Sequence, residues 1–252
     1  MLDTGRNLTH QLTHQLGAAI VQGQYAVDKS FPTEAELSEQ FNISRSVTRE
    51  AVKMLTAKGL IASRPRQGIR VMPSAQWNMF DADVLSWTLN ARPSLELLRE
   101  FTQLRMAIEP EAATLAAANS ANNPSIGAIG VALARMKKAD QGLDDPLAAD
   151  IEFHCAILAA SHNRFFFQLR EFIQVALRVS IASTNQLKGV LAANYDDHKR
   201  IYDAICAGDQ AEANQAVKVL LVEVMELIDF SLSSARDTAK NAAQDGASST
   251  EK

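Results

Sequence analysis

Residues 33–72, TEAELSEQFNISRSVTREAVKMLTAKGLIASRPRQGIRVM, constrain the fold more than any other part of the chain. Thr33 followed three positions later by Glu36 has the form of a capping box, which starts a helix burying Leu37 and Phe41. Asn42 breaks that helix. Ser44 caps the next one, which runs to Lys58 with Val47, Ala51, Val52 and Leu55 inward, and Gly59 stops it. Leu60–Ser63 and Ile69–Met72 then alternate as short strands around Arg66-Gln67-Gly68. An apolar helical period from Leu8 to Gly23 and a loop from Gln24 to Pro32 precede this run. Helix, tight turn, basic helix and Gly-tipped hairpin, in that order, are the parts of a winged helix-turn-helix, which lays its second helix in a DNA major groove.

The residue types suit that task. Ser44, Arg45, Ser46, Thr48 and Arg49 occupy the first turns of the second helix. Arg takes guanine O6 and N7 bidentately, and hydroxyls bond phosphates or base edges. Arg45 and Arg49 are one turn apart and share a face. Arg64, Arg66, Gln67 and Gly68 form the wing, with Arg70 beside it, placed for a minor groove or its phosphates. Thr33, opening the first helix of the motif, completes the candidate DNA-binding set. The competing reading is a solvated helical hairpin with surface arginines; it does not account for the ordering of caps, turn, basic face and Gly-tipped hairpin.

Charge divides the chain at the same place. Residues 1–72 hold nine Lys/Arg against six Asp/Glu, whereas the remainder holds 16 against 23. A basic module on an acidic body fits a nucleic-acid reader joined to a sensing or dimerising unit. No apolar run approaches the ~18 residues of a membrane span. The N-terminus is polar and lacks the apolar core of a signal peptide, so a cytoplasmic protein is expected. Cys155 and Cys206 lack metal-like spacing and read as two small buried thiols.

Residues 73–93 read as a linker with one short helix, Asp83–Leu89, docking between domains. From 94 to 236 every segment has a helical period, with helices expected over 94–119, 123–140, 146–161, 163–187, 191–207 and 210–235. Pro110 should kink the first or mark a junction. Six such helices make an antiparallel bundle, so the expected class is mainly α: a winged helix-turn-helix over 1–72 and an all-α bundle over 94–236. Residues 237–252 are small and polar and read as a disordered tail.

Polar residues interrupt the apolar pattern of the bundle. Asp150 and His154 lie four apart on one helix and can hold one ion from the same face, with His198 a third ligand across the bundle. The bland alternative is that these are surface histidines or satisfied core ones. Arg105 lies within an apolar stretch, where a buried charge needs a partner. A bound carboxylate would supply one; so would Glu109, one turn along the same helix.

The run from Phe31 to Met72, with its SR-x-x-x-RE-A core and G-L-I…R-x-x-G hairpin, resembles the DNA-binding domain of the GntR superfamily of bacterial transcription regulators. Ala35 stands where many members carry a DNA-touching Arg, so their operator sequences do not carry over. Residues 94–232 resemble the all-helical FCD ligand-binding domain of the FadR-type branch, through LRMAIEPEAATLAA, ADIEFHCAILAASHN and DHKRIYDAICAGDQAEANQAV.

That resemblance implies a divalent metal (Zn, Ni or Mn) held by an Asp and three His. Asp150, His154 and His198 match the first three positions, and Leu220 replaces the last His. It further implies an effector carboxylate on Arg105 and a role for Asn163 as effector contact or helix cap. The linker SAQWNMFDADVLSWTL is similar to that of sugar-acid regulators of the family, which implies a hexonate effector such as galactonate. The expected protein is a homodimeric repressor, not an enzyme, that binds a palindromic operator and is released by a small carboxylate. The alternatives are a FadR-like regulator answering another carboxylate or an acyl-CoA, and a metal-dependent hydrolase.

Overall fold

The computed structural model describes residues 4–27, 29–64, 68–91, 94–188 and 194–248. The chain divides into two compact units at Pro93/Ser94.

The first unit runs α1 (Thr4–Val21), β1 (Ser30–Phe31), α2 (Glu34–Gln40), α3 (Arg45–Ala57), β2 (Ile61–Arg64), β3 (Gly68–Val71) and α4 (Ala82–Ala91). Local chemistry sets the boundaries. Thr33 Oγ1 accepts from the Glu36 amide at 3.3 Å while the Thr33 amide donates to Glu36 Oε2 at 2.7 Å, closing the capping box. Asn42, at φ 51°, makes the tight turn, and the Val47 amide donates to Ser44 Oγ at 3.4 Å to start α3. Gly59 ends α3 at φ +75°, where a Cβ would stand 2.4 Å from the Gln76 carbonyl oxygen.

The sheet is antiparallel in the order β1-β3-β2, with Ser30 opposite Arg70 and Ser63 opposite Ile69. Alternation along β3 buries Ile69 and Val71 and exposes Gly68 and Arg70. Strand β1 falls in the segment read as loop; two residues are too short to show alternation, and Phe31 joins the core through its side chain.

The core gathers Leu12, Leu16 and Ile20 of α1, Leu37 of α2, Ala51, Val52 and Leu55 of α3, and Val84 and Trp87 of α4. The expected linker helix is therefore longer than read, and it belongs to the core of this unit. Trp87 lies across Gly17, Lys58 Nζ reaches Asp81 and Asp83 at 2.8 Å, and Trp77 Nε1 donates to the Met72 carbonyl at 2.9 Å.

The second unit is helical throughout its described residues: α5 (Leu95–Ala118), α6 (Ile126–Ala139), α7 (Pro146–Ala160), α8 (Arg164–Gln168), α9 (Arg170–Lys188), α10 (Tyr195–Ala207) and α11 (Gln210–Ser248). Ser94, Asp145 and Asn194 cap α5, α7 and α10, and Gly208 ends α10 at φ 72°. Helix α5 continues through Pro110. The segment expected as one helix over 163–187 is two, α8 ending at Gln168 and α9 starting at Arg170, with Leu169 between them. Helix α11 reaches Ser248 and so takes in most of the stretch read as a disordered tail. Polarity suggested disorder there, but Ala239, Lys240, Ala242, Ala243 and Gln244 are strong helix formers, and extending an existing helix carries no nucleation cost.

Helix α7 packs against α5, α6 and α9 and is buried on most sides. Its polar residues are consequently carried into the core. Among the described residues no helix is long and apolar enough to cross a membrane.

Candidate functional site

Asp150 and His154 on α7 and His198 on α10 converge in the bundle interior, all of them buried. One ligand atom from each lies within 4.8 Å of the others. Asp150 Oδ1 stands 3.2 Å from His154 Nε2 and 3.2 Å from His198 Nε2. Despite that proximity, Asp150 Oδ1 and His198 Nε2 are buried without an aligned hydrogen bond. Atoms converging on one point without facing each other as donor and acceptor suit a shared cation better than an ordinary hydrogen-bond network.

The far side of each imidazole explains its orientation. His198 Nδ1 donates to the Asn194 carbonyl at 2.8 Å. His154 Nδ1 lies 2.9 Å from Glu109 Oε2. A carbonyl and an ionised carboxylate can only accept, so both Nδ1 atoms carry hydrogen and both Nε2 atoms point toward Asp150. Metal-ligating histidines are held in this way by outer acceptors.

Glu109 and Arg105, one turn apart on α5, complete the cluster. Arg105 Nε donates to Glu109 Oε1 at 2.6 Å and Nη2 to Oε2 at 3.2 Å, both side chains being 2% exposed. The same Nη2 lies 3.5 Å from His154 Nδ1 and 3.3 Å from its Nε2. That nitrogen is thus within hydrogen-bond reach of both ring nitrogens.

These charges tune one another. Burial pushes the Glu109 carboxyl up, but the Arg105 charge and His154 outweigh it and hold it at about 2. Burial likewise opposes ionisation of Asp150, and the two imidazoles override it, leaving its pKa far below the carboxylate range. For His154, burial disfavours the charged form; Glu109 and Asp150 prevail, and its pKa is raised.

The DNA-reading candidates divide. Ser44, Arg45, Ser46 and Arg49 are exposed along the start of α3, and neither arginine has an ion-pair partner among the described residues. Thr33 is exposed, with its hydroxyl in the capping box. Thr48, expected on that face, is instead buried at 0% exposure, its hydroxyl donating to the Ser44 carbonyl at 3.3 Å. A side chain with no exposed surface cannot touch a base. Gly68 opens β3 at φ +74° with clear space around it. Arg66 and Gln67 lie outside the described residues, as does the side chain of Arg64.

Asn163 caps α8, its Oδ1 accepting from the Phe165 amide at 2.9 Å. Leu220 is partly buried on α11. The thiols are not both buried: Cys206 is exposed and Cys155 half-buried, with burial pushing the Cys155 thiol up to about 11. Sequence reasoning missed two outer contacts. Glu109 was legible only as an intrahelical partner of Arg105, and the Asn194 contact is a backbone carbonyl that leaves no side-chain signal.

A winged helix-turn-helix unit joined to an α-helical unit with a buried Asp/His cluster defines a class of DNA-binding regulator. Residues 8–71 match the gntR family of bacterial regulatory proteins and residues 100–223 match the FCD domain. The chain belongs to the gntR family, with an FCD domain following its DNA-binding domain, and is a transcriptional regulator. It is 33% identical to the Escherichia coli HTH-type regulator YieP, itself uncharacterised, over 86% of this chain and 93% of that one. It is likewise 33% identical to the galactonate operon transcriptional repressor of Escherichia coli, over 85% of this chain and 94% of that one. The solved structure of Lar, described as controlling the Listeria monocytogenes agr system, has a TM-score of 0.54 at 16% identity, covering 90% of this chain and 97% of its own, and shares the fold.

Proposed function

We propose that this regulator senses a small sugar acid, a hexonate such as galactonate, in its helical unit and releases its operator in response. The observation that carries the reading is the convergence of Asp150 Oδ1, His154 Nε2 and His198 Nε2, each imidazole held from behind by an oxygen acceptor. Those three residues fit a divalent ion, which would supply Lewis-acid attraction for carboxylate and hydroxyl oxygens. With Leu220 in place of a fourth ligand, coordination positions stay open to such oxygens.

Charge decides how an anionic effector is held. Arg105 was the expected anchor, but its Nε and Nη2 are engaged by Glu109, so the two charges cancel. Asp150 adds a further negative charge. A cation at Asp150, His154 and His198 would supply the positive charge that draws a carboxylate there. Resemblance to the galactonate operon repressor supports the choice of sugar acid. Asn163 is assigned the cap of α8 rather than effector contact.

On the DNA side, Ser44, Arg45, Ser46 and Arg49 would enter the major groove, with Thr33 at its margin and Arg64, Arg66, Gln67 and Gly68 supplying the wing. Two chains would pair to meet a palindromic operator. Val219, Val222 and Phe230, exposed on α11, offer apolar surface for such pairing.

Thermal unfolding of metal-loaded and chelator-treated protein against a panel of hexonates and acyl-CoAs tests the reading. A hexonate that raises the midpoint only with metal present, and that dissociates operator DNA, is the expected result. Stabilisation by hexonate in chelator, or by acyl-CoA alone, would overturn it.

A further inference from the structure

Glu109 does more than neutralise Arg105. A simple partner would give both oxygens to the guanidinium alone. Here Oε1 takes Arg105 Nε at 2.6 Å, while Oε2 is shared between Arg105 Nη2 at 3.2 Å and His154 Nδ1 at 2.9 Å. Two pairs of residues one turn apart, Arg105 and Glu109 on α5 and Asp150 and His154 on α7, thus face each other across packed helices. His198, from α10, reaches the same Asp150 oxygen at 3.2 Å.

We infer that Glu109 is the positioning residue of the ion site: its carboxylate fixes the His154 proton on Nδ1, aims the Nε2 lone pair at the point shared with Asp150 and His198, and keeps Arg105 from competing for that lone pair. The inference rests on reading those three residues as ion ligands. Arg105 Nη2 already comes within 3.3 Å of His154 Nε2. Without Glu109 it would turn toward the only acceptor left on the ring. The two histidines are also held unequally, since His198 Nδ1 meets a neutral carbonyl and His154 Nδ1 meets a charged carboxylate. A carboxylate makes the imidazole a more basic ligand than a carbonyl does, so the charge of Glu109, and not its shape alone, sets the affinity.

The test is Co(II) binding to the full chain, by competition with a chromophoric chelator and by the visible spectrum of the bound ion. Wild type should bind Co(II), and Glu109→Gln, which keeps the shape and loses the charge, should weaken binding by about 10- to 100-fold and shift the spectrum. Arg105→Lys keeps a positive charge beside the Glu109 carboxylate and should stay within a few-fold of wild type. The paired variant Arg105→Met/Glu109→Gln removes both members of the buried ion pair and guards against misfolding of the single variants. It should still bind more weakly than wild type, though less weakly than Glu109→Gln because no arginine is left to compete for His154 Nε2.

Wild-type affinity in both Glu109 variants overturns the inference. So does an equal loss in Arg105→Lys, which would make Glu109 a mere support for the arginine. Absence of Co(II) binding by wild type is a different failure: it removes the ion-site reading itself, and this inference with it.

Discussion

Gly17 and Trp87 offer a sharp test of how α4 is seated. A Cβ built on Gly17 would lie 2.2 Å from Trp87 Cζ3, 2.4 Å from Cη2 and 2.7 Å from Cε3. Carbon atoms settle near 3.5–4.0 Å, so Gly17→Ala requires the indole to retreat by roughly 1.5 Å. The ring has little room: it is 5% exposed, stands edge-on to His14 with centroids 5.6 Å apart, and has Lys58 Nζ 5.7 Å from its centroid.

Two effects oppose each other. Alanine within a helix is favoured over glycine by about 1 kcal/mol. Overpacking a filled core costs about 1–3 kcal/mol, and with three ring atoms inside 3 Å the upper part of that range applies. A net loss of about 2 kcal/mol follows, or about 8–16 °C in the unfolding midpoint of a unit this size. Calorimetry on the full chain, with tryptophan emission followed in parallel, should show the first unit melting earlier and its emission shifted to the red. In a Trp87→Leu background the same alanine should cost much less. A Gly17→Ala protein as stable as wild type or more so would refute the close packing of α4 on α1.

Other outcomes follow from the same geometry. Arg45→Ala and Arg49→Ala should each weaken operator binding by about 1–3 kcal/mol in fluorescence anisotropy, while Thr48→Val, a change inside the core, should leave the affinity for exposed base edges nearly intact. Asp150→Asn should abolish any rise in melting temperature that divalent ions confer on wild type. Burial opposes the charge of Lys58, but Asp81 and Asp83 raise its pKa above the ordinary 10.5. Its stabilising contribution is therefore complete below that value and lost as pH rises through the raised folded value, so alkaline titration should destabilise wild type more steeply than Lys58→Met.

Much of the first unit was legible because its signals are local. Thr33 with Glu36, Ser44 and Gly59 act through contacts a few residues away, and each does what its position implied. Thr48 could have been placed correctly from the same pattern. It shares the helical stripe of Ala51, Val52 and Leu55, all buried, although chemistry suggested the DNA face. The seat of α4 was not legible, since it depends on a glycine and a tryptophan seventy positions apart in sequence.

In the second unit, the spacing of Asp150 and His154 was enough to put them together, and the family pattern pointed to His198. Arg105 was recognised as needing an anion, but periodicity cannot choose between a partner on its own helix and a ligand. Only the packing of α5 on α7 shows Glu109 serving arginine and histidine at once.

The capture of α4 by the first unit changes what joins the two halves. Ala91 ends α4 and Ser94 already caps α5, so only Arg92 and Pro93 lie between two folded bodies. A proline ring fixes its own φ in any setting, which leaves a handful of soft torsions in the whole connection. At about 3.5 Å per extended residue, so short a connection bounds how far apart the two chain ends can stand, whatever the arrangement of the units.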